Sequence, residues 1–271
     1  MNFFDGYWIG MVFLLGACLG SFLNVCIYRI PAELSVVKPC SRCPKCMTDL
    51  SWKDNIPIFG WIFLAGKCRY CKAPVSTRYP CIELLTALLF VAVWLVYPYQ
   101  LIVVPYGLLI FGLIFGSMVD FDEMWIPDRV TIGGEIVGPI LSFMIPALHG
   151  TDVRMESLIA SLIGLAVGFG SLWLVGLIGK LLLKKDAMGF GDVKLLGCIG
   201  AFLGWESIIF IVFVSSLLGA LVGVGFIVAR NKEWQSKIPF GPYISLAAII
   251  WLLGGSKLWY MYAEWIQSGA Y

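Results

Sequence analysis

The chain has 271 residues, of which 60% are hydrophobic and only 13% are charged. Soluble domains are roughly a quarter charged, so this composition excludes an ordinary soluble enzyme and favours a membrane protein. The net charge of +2 is too small to indicate a partner, but the distribution of charge along the chain is informative.

Runs of about 20 apolar residues predict an all-α polytopic membrane protein with about eight transmembrane helices. We expect a first transmembrane helix over residues 1–28, a small cytosolic domain over residues 29–82 and a transmembrane domain over residues 83–271. Residues 29–81 contain nine Lys or Arg against three acids. The positive-inside rule therefore places this stretch in the cytoplasm and both termini outside.

The first helix carries small and polar residues near its cytoplasmic end, at Gly20, Ser21 and Asn24. Small residues in a membrane helix are typical of close helix packing. Asn24 must find a hydrogen-bonding partner inside the bundle, because an unpaired amide in hydrocarbon is costly. It is also a candidate for holding the backbone of a substrate.

The cytosolic stretch contains two C-x2-C sequences with 21 residues between them, namely Cys43 with Cys46 and Cys68 with Cys71. This spacing is close to that of a four-thiolate structural zinc site. Metal binding adds folding free energy, which suits a small domain with a thin core. The alternatives are reduced cysteines without a metal, a redox pair, or exchange of one ligand for Cys40.

The third apolar segment runs into four acids within nine residues, Asp120, Asp122, Glu123 and Asp128. One interpretation is a solvated loop at a helix end. Asp120 differs from the others, because it directly follows an apolar run and so lies within or at the edge of the membrane. Glu135, about two turns into the next segment, either extends toward the interface or lines a wet cavity.

A second acid at the same depth occurs in a G-x-G-D sequence that contains Gly189, Gly191 and Asp192. A charge near hydrocarbon costs a few kcal/mol, so an aspartate at the mouth of an apolar segment needs a reason. The glycines permit close approach of backbone or substrate. The alternative is a glycine-rich turn whose aspartate caps the next helix.

The chain has a single histidine, His149, on the predicted outer side, which excludes Ser-His-Asp and Cys-His catalysis at the inner face. Two adjacent carboxylates in a poorly solvated site share one proton, so that one acts as general base on water and the other as acid. Asp120 and Asp192 therefore predict an intramembrane aspartic protease. A proton-coupled transporter using the same acids as relay groups is the alternative, although the sequence shows no inverted repeat.

Short stretches in the same order along nearly the whole chain carry a family resemblance: residues 20–25, 28–31, 41–46, 54–57, 66–71, 78–80, 83–86, 119–122, 126–128, 189–194 and 239–243. The sequence resembles the bacterial type IV prepilin peptidases, which combine leader peptidase and N-methyltransferase activities. Its G-x-G-D sequence also resembles that of presenilin-type intramembrane proteases.

The resemblance implies that the protein cleaves type IV prepilins and pseudopilins after a glycine, at the cytoplasmic face of the bacterial inner membrane. It also implies N-methylation of the new N-terminal residue, usually Phe, with S-adenosylmethionine as methyl donor. Such activities support type IV pilus or type II secretion assembly. By resemblance, Asp120 and Asp192 are the catalytic pair, with Asp122 and Asp128 ranked next.

Candidates for the substrate region are assigned as well: Asn24, Gly189, Gly191 and Lys194. A basic substrate leader would be attracted electrostatically by Asp122, Glu123 and Asp128. The methyl-donor site is expected within residues 20–81, because simpler relatives with peptidase activity alone lack the cytosolic domain. The sequence contains no glycine-rich strand–loop–helix that would hold this cofactor, so its individual contacts are unassigned.

Overall fold

A computed structural model describes residues 3–183, 188–230 and 239–267, and these residues contain helices and no strand. The chain forms two compact units, Met1–Pro98 and Tyr99–Tyr271. Six of the described helices are long and apolar enough to cross a membrane. The predicted class, an all-α multi-pass membrane protein, is confirmed.

The first unit pairs two apolar helices, α1 (Phe3–Arg29) and α3 (Arg78–Val96), with the short α2 (Phe59–Phe63) between them in sequence. The pair packs closely, because a Cβ added to Gly20 would lie 2.7 Å from the Cα of Glu83. Gly20 therefore serves the close packing that small residues predict. The structure groups α3 with the first helix, whereas the division into functional domains at residues 82 and 83 stays a prediction.

The second unit consists of seven α-helices and two short turns in its described part. These are α4 (Val103–Glu123), α5 (Asp128–Met144), a 3-10 turn (Pro146–His149), α6 (Arg154–Leu183), α7 (Phe190–Leu203), α8 (Trp205–Arg230), α9 (Gly241–Ile250), a π-helical turn (Trp251–Gly255) and α10 (Ser256–Gln267). The π-helical turn joins α9 to α10, so these elements continue one another and count as one candidate membrane span.

The described residues contain six candidate membrane spans, whereas the sequence predicts about eight, because two of the predicted segments form short helices. Helix α5 has 17 residues and α7 has 14. At 1.5 Å per residue, α7 reaches about 21 Å, less than the roughly 30 Å hydrocarbon core of a bilayer. The total of eight crossings stays a prediction.

Helix α7 is the central element of the second unit and has buried residues along almost its whole length. It packs against α4, α5, α6, α8 and α9. The contact with α6 is a backbone contact, since a Cβ added to Gly164 would lie 2.1 Å from the carbonyl oxygen of Gly200. In the same interface the hydroxyl of Ser161 donates to the carbonyl of Ala201 at 2.6 Å. The helix that carries Asp192 is therefore held firmly by its neighbours.

Candidate functional site

Asp120 lies in the last turn of α4 and is buried, with 5% of the residue exposed. Helix α4 ends at Met124, which adopts the left-handed conformation and donates its N–H to the carbonyl of Asp120. The side-chain Oδ2 of Asp120 accepts a hydrogen bond of 3.0 Å from the N–H of Gly241, the first residue of α9. The start of α9 thus presents an amide to this carboxylate.

Asp192 lies in the first turn of α7 and is 9% exposed. The N-cap is Gly189, whose carbonyl accepts the N–H of Asp192 at 3.2 Å. The alternative in which the aspartate itself holds the capping position is therefore wrong. Gly191, the neighbour of Asp192, and Gly241, which donates to Asp120, both approach the side chain of Ile126, so the two predicted carboxylates belong to one buried cluster around it.

Ile126 fills the space between the helices that carry this cluster and is 4% exposed. A Cβ added to Gly191 would lie 3.3 Å from the Cβ of Ile126, and one added to Gly241 would lie 3.0 Å from its Cδ1. Glycine at both positions lets α7 and α9 close around this side chain. The sequence identified Gly191 as a candidate residue, whereas Ile126 and Gly241 were noted only as parts of stretches that resemble the family.

The other acids at the end of α4 lie outside the buried cluster. Asp122, Glu123 and Asp128 are exposed. Asp128, the first residue of α5, forms an ion pair with Lys194 of α7. Lys194, a candidate for the substrate region, is thus engaged with α5.

For Glu135, extension toward the interface and a wet cavity both stay predictions. The residue is partly exposed, and a Cβ added to Gly197 would lie 2.9 Å from its Oε1, so the carboxyl points toward α7. This oxygen is buried and has no hydrogen-bond partner among the described residues. Glu135 also acts electrostatically on Lys194 and Asp128, which makes it a neighbour of their ion pair.

The first unit contains its own buried polar groups. The side-chain amide of Asn24 donates to the carbonyl of Tyr79 at 3.1 Å, which supplies the partner that the sequence required. The carboxylate of Glu83 accepts the N–H of Ile58 at 2.6 Å and the hydroxyl of Ser21. Sequence reasoning did not single out Glu83, although a charge inside an apolar helix was a usable signal.

The four predicted metal ligands converge, and their sulfur atoms all lie within 4.8 Å of one another: Cys43, Cys46, Cys68 and Cys71. The Sγ atoms of Cys43 and Cys71 are 3.7 Å apart. Four thiolates around zinc at 2.3 Å would be separated by about 3.8 Å, so the cluster fits a structural zinc site. Cys40 is exposed and lies outside the cluster.

The two C-x2-C sequences fold into equivalent knuckles. The N–H of Cys43 donates to Thr48 at 3.0 Å, and the N–H of Cys68 donates to Ala73 at 2.9 Å. In both knuckles the residue after the second cysteine is left-handed, at Met47 and Lys72, and its N–H returns to the first cysteine. Hydrogen bonds from Thr48 lower the pKa of Cys46 to about 6, which favours the thiolate that a metal requires.

An ion pair between a half-exposed arginine and a buried aspartate supports the second knuckle. Asp54, whose side chain is 1% exposed, contacts Arg69 at 2.6 Å. The Arg69 guanidinium holds the pKa of the Asp54 carboxyl below its usual range. Since Arg69 lies between Cys68 and Cys71, the pair fixes this knuckle to the loop that precedes α2.

Comparisons with known proteins agree along the chain. Residues 14–97 match the bacterial peptidase A24 N-terminal domain, and residues 107–224 match the type IV leader peptidase family. A prepilin leader peptidase/N-methyltransferase of Aeromonas hydrophila is 36% identical over 94% of either chain. The Pseudomonas aeruginosa protein of that name is 35% identical over 93% of this chain and 92% of its own. No solved structure matches.

Proposed function

The chain belongs to the type IV leader peptidase family, and we propose that Asp120 and Asp192 are its catalytic pair. It is a prepilin leader peptidase with N-methyltransferase activity, as its relatives are named. The observation that carries the proposal is the burial of two carboxylates, at the end of α4 and the start of α7, beside glycines that both close on the Ile126 side chain. Nothing in the comparisons favours the transporter that uses the same acids.

The two carboxylates carry one proton between them, because like charges in a buried site oppose each other. The N–H of Gly241 stabilises the ionised form of Asp120, so Asp120 is the base and Asp192 is the acid. Asp120 takes a proton from water while the oxygen of that water bonds to the scissile carbonyl carbon. Asp192 gives its proton to the carbonyl oxygen, which produces a neutral gem-diol.

Collapse of the gem-diol completes the reaction. One hydroxyl returns its proton to Asp192 as the carbonyl re-forms, and the C–N bond breaks. The departing amine takes the proton that Asp120 had removed from water. Both aspartates are thereby restored, and the products are the leader carboxylate and a pilin with a free N-terminus.

The four cysteines are proposed to bind a structural Zn²⁺, supported by the convergence of their sulfur atoms to within 4.8 Å of one another. The basic balance of residues 29–81 supports placing this zinc domain on the cytoplasmic side of the bacterial inner membrane. For the catalytic aspartates, the same side is supported by the family resemblance. On this view prepilins and pseudopilins remain embedded in the lipid bilayer while their leaders reach the site. The product pilins would serve a type IV pilus or a type II secretion system.

S-adenosylmethionine is the proposed methyl donor, and when bound it would supply an electrophilic methyl group to the new N-terminal amine. Its location within residues 20–81 rests on the resemblance alone. Within the described part of the first unit, the Oδ2 atom of Asp54 is buried without a partner, but it is sealed from solvent. This atom is therefore not open to a bound donor.

The test is an assay of leader removal and methyl incorporation, with a purified prepilin in detergent or lipid. We expect Asp120→Asn and Asp192→Asn each to lower the cleavage rate by roughly 10²–10⁴-fold, the usual contribution of acid–base catalysis. Asp152→Asn, which changes an exposed acid before α6, should cleave normally. Both aspartate variants should still methylate a pre-cleaved pilin. Normal cleavage by either folded aspartate variant would exclude the proposed pair.

A further inference from the structure

The segment that follows α4 contacts the elements on both sides of the proposed catalytic pair. It leaves the helix of Asp120 at Met124 and starts the next helix at Asp128. Between them, Ile126 packs against the position of Gly191, the neighbour of Asp192. A short segment attached to one aspartate thus touches the turn that holds the other.

A second contact joins the same segment to α7. Asp128 forms an ion pair with Lys194, which lies two residues after Asp192. The Lys194 side chain is only 16% exposed, so its charge is largely withdrawn from water, whereas the Asp128 side chain is 62% exposed. A cation withdrawn from water needs a charged partner. Removing one member of such a pair therefore destabilises the protein more than removing one member of an exposed ion pair.

Lys194 is surrounded on more than one side. Its Nζ lies 5.2 Å from the centre of the Phe190 ring, and Glu135 of α5 acts on it electrostatically. Both acids, Asp128 and Glu135, come from α5. The ammonium therefore ties the first turn of α7 to the N-terminal half of α5.

The first turn of α7 is also held by packing. The Phe190 ring lies 5.9 Å from the ring of Phe169 in α6, Val193 is buried in the core, and Ile126 packs against Gly191. These contacts fix the position of the helix, and the Lys194 ion pair adds a charged restraint two residues after Asp192.

We propose that Asp128 and Lys194 are positioning residues that hold Asp192 in register with Asp120. This inference rests on the proposed function and deepens it, because it assigns a role to an acid that does not touch the substrate. The exposed Asp128 acts through Lys194, the residue with which it forms an ion pair. A displacement of about 1 Å at such a site lowers the rate by roughly 10²-fold.

The experiment measures kcat and KM for prepilin cleavage in Asp128→Asn, Lys194→Met and the double variant. Each single variant should lower kcat roughly 10- to 100-fold with KM changed less than twofold, since the defect is geometric. The double variant should be no slower than the worse single variant, because both changes remove one interaction. Lys194→Arg and Asp128→Glu keep the ion pair and should restore most of kcat.

Substrate attraction is the competing role for Asp128, and it predicts the opposite split. If the exposed acids attract a basic leader, Asp128→Asn and Glu123→Gln would both raise KM and leave kcat unchanged. That result would overturn the positioning role, and so would additive losses in the double variant. Asp152→Asn is the control for loss of an exposed acid.

Failure of this inference is distinguishable from failure of the proposed catalytic pair. Normal kcat in Asp128→Asn and Lys194→Met, beside inactive Asp120→Asn and Asp192→Asn, would remove the positioning role and keep the pair. Cleavage by folded Asp120→Asn or Asp192→Asn would remove the pair itself. Unfolding temperatures establish that each variant is folded, and if Lys194→Met does not fold, the exposed Asp128 position decides the outcome.

Discussion

Both units of the molecule bury carboxylates, but they surround them with different partners. In the first unit, Glu83 accepts an N–H and a hydroxyl, and Asp54 is paired with Arg69. In the second unit, Asp120 accepts a hydrogen bond from a backbone N–H and lies within electrostatic range of another carboxylate, Asp192. The first unit surrounds its buried acids with hydrogen-bond donors or a cation, whereas the second unit places two buried carboxylates near each other.

This difference separates a structural use of the carboxylate from the proposed catalytic use. A buried carboxylate that accepts hydrogen bonds or pairs with a cation stabilises the fold around it. Two carboxylates that share a proton are less stable together, yet they keep oxygen atoms available for water and substrate. We therefore expect that removing a buried acid of the first unit lowers stability, whereas removing one of the carboxylate pair in the second unit raises stability and lowers activity.

The largest expected effect comes from removing the metal ligands of the first unit. Cys43→Ser or Cys68→Ser should lose the bound zinc, from one ion per chain to none, because a structural site needs all four thiolates. The knuckles should then become sensitive to proteases. Metal analysis and limited proteolysis of the purified protein measure both effects.

Cys40→Ser provides the matched control, since Cys40 is exposed and lies outside the cluster. It should keep one zinc per chain. Retention of a full zinc ion by Cys43→Ser or Cys68→Ser would show that the four sulfur atoms are not the ligand set.

The next effect concerns Gly241, whose lack of a side chain allows α9 to approach Asp120 of the proposed catalytic pair. In Gly241→Ala, the new Cβ would lie 2.8 Å from Oδ2 of Asp120 and 3.0 Å from Cδ1 of Ile126. We expect cleavage to fall roughly 10- to 100-fold, because the carboxylate must move. Gly170→Ala in α6 is the control, as nothing lies within 4 Å of its Cβ. Equal activity of the two variants would mean that the pair tolerates displacement.

A smaller effect tests directly whether removing an acid changes stability in opposite directions in the two units. Glu83→Ala leaves the N–H of Ile58 without its carboxylate partner and should lower the free energy of unfolding by about 1–3 kcal/mol. Asp192→Asn replaces the member of the pair that must take up a proton when the chain folds, so it should raise the unfolding temperature while cleavage is lost. Thermal unfolding in the same detergent measures both. A destabilised Asp192→Asn would contradict the comparison.

The smallest effect concerns His149, a partly buried titratable residue of the second unit whose ring has a hydrogen-bond partner. Its Nε2 lies 3.1 Å from the Ser142 hydroxyl, and burial lowers the pKa of the ring below its usual value. The unfolded chain then binds more protons than the folded one, so the free energy of unfolding falls as pH drops below about 6.5. We expect a loss of at most about 1 kcal/mol.

Unfolding temperatures at pH 7.5 and pH 5.5 measure this loss, with His149→Gln as comparison. The variant lacks the titrating group and should show a weaker dependence on pH over this range. An identical dependence in both proteins would assign it to other groups.

The membrane class, the four-cysteine cluster and the candidate acids could be predicted from the sequence because each depends on local pattern. Apolar runs indicate helices whatever their neighbours are. Two C-x2-C pairs predict a four-sulfur cluster, because each pair forms a knuckle through hydrogen bonds among its own neighbours. Asp120 and Asp192 were recognisable since a charge at the end of an apolar run is rare in itself.

The tertiary structure alone decided how these elements come together. Asp120 meets Gly241 across 121 residues, and Asp128 meets Lys194 across 66. Glu83 accepts the amide of Ile58, which no periodicity indicates. Such contacts depend on which helices pack and at what depth, and close packing of side chains determines that only once the whole chain has folded. Local chemistry is therefore readable from the residues, while the distance between distant groups belongs to the fold.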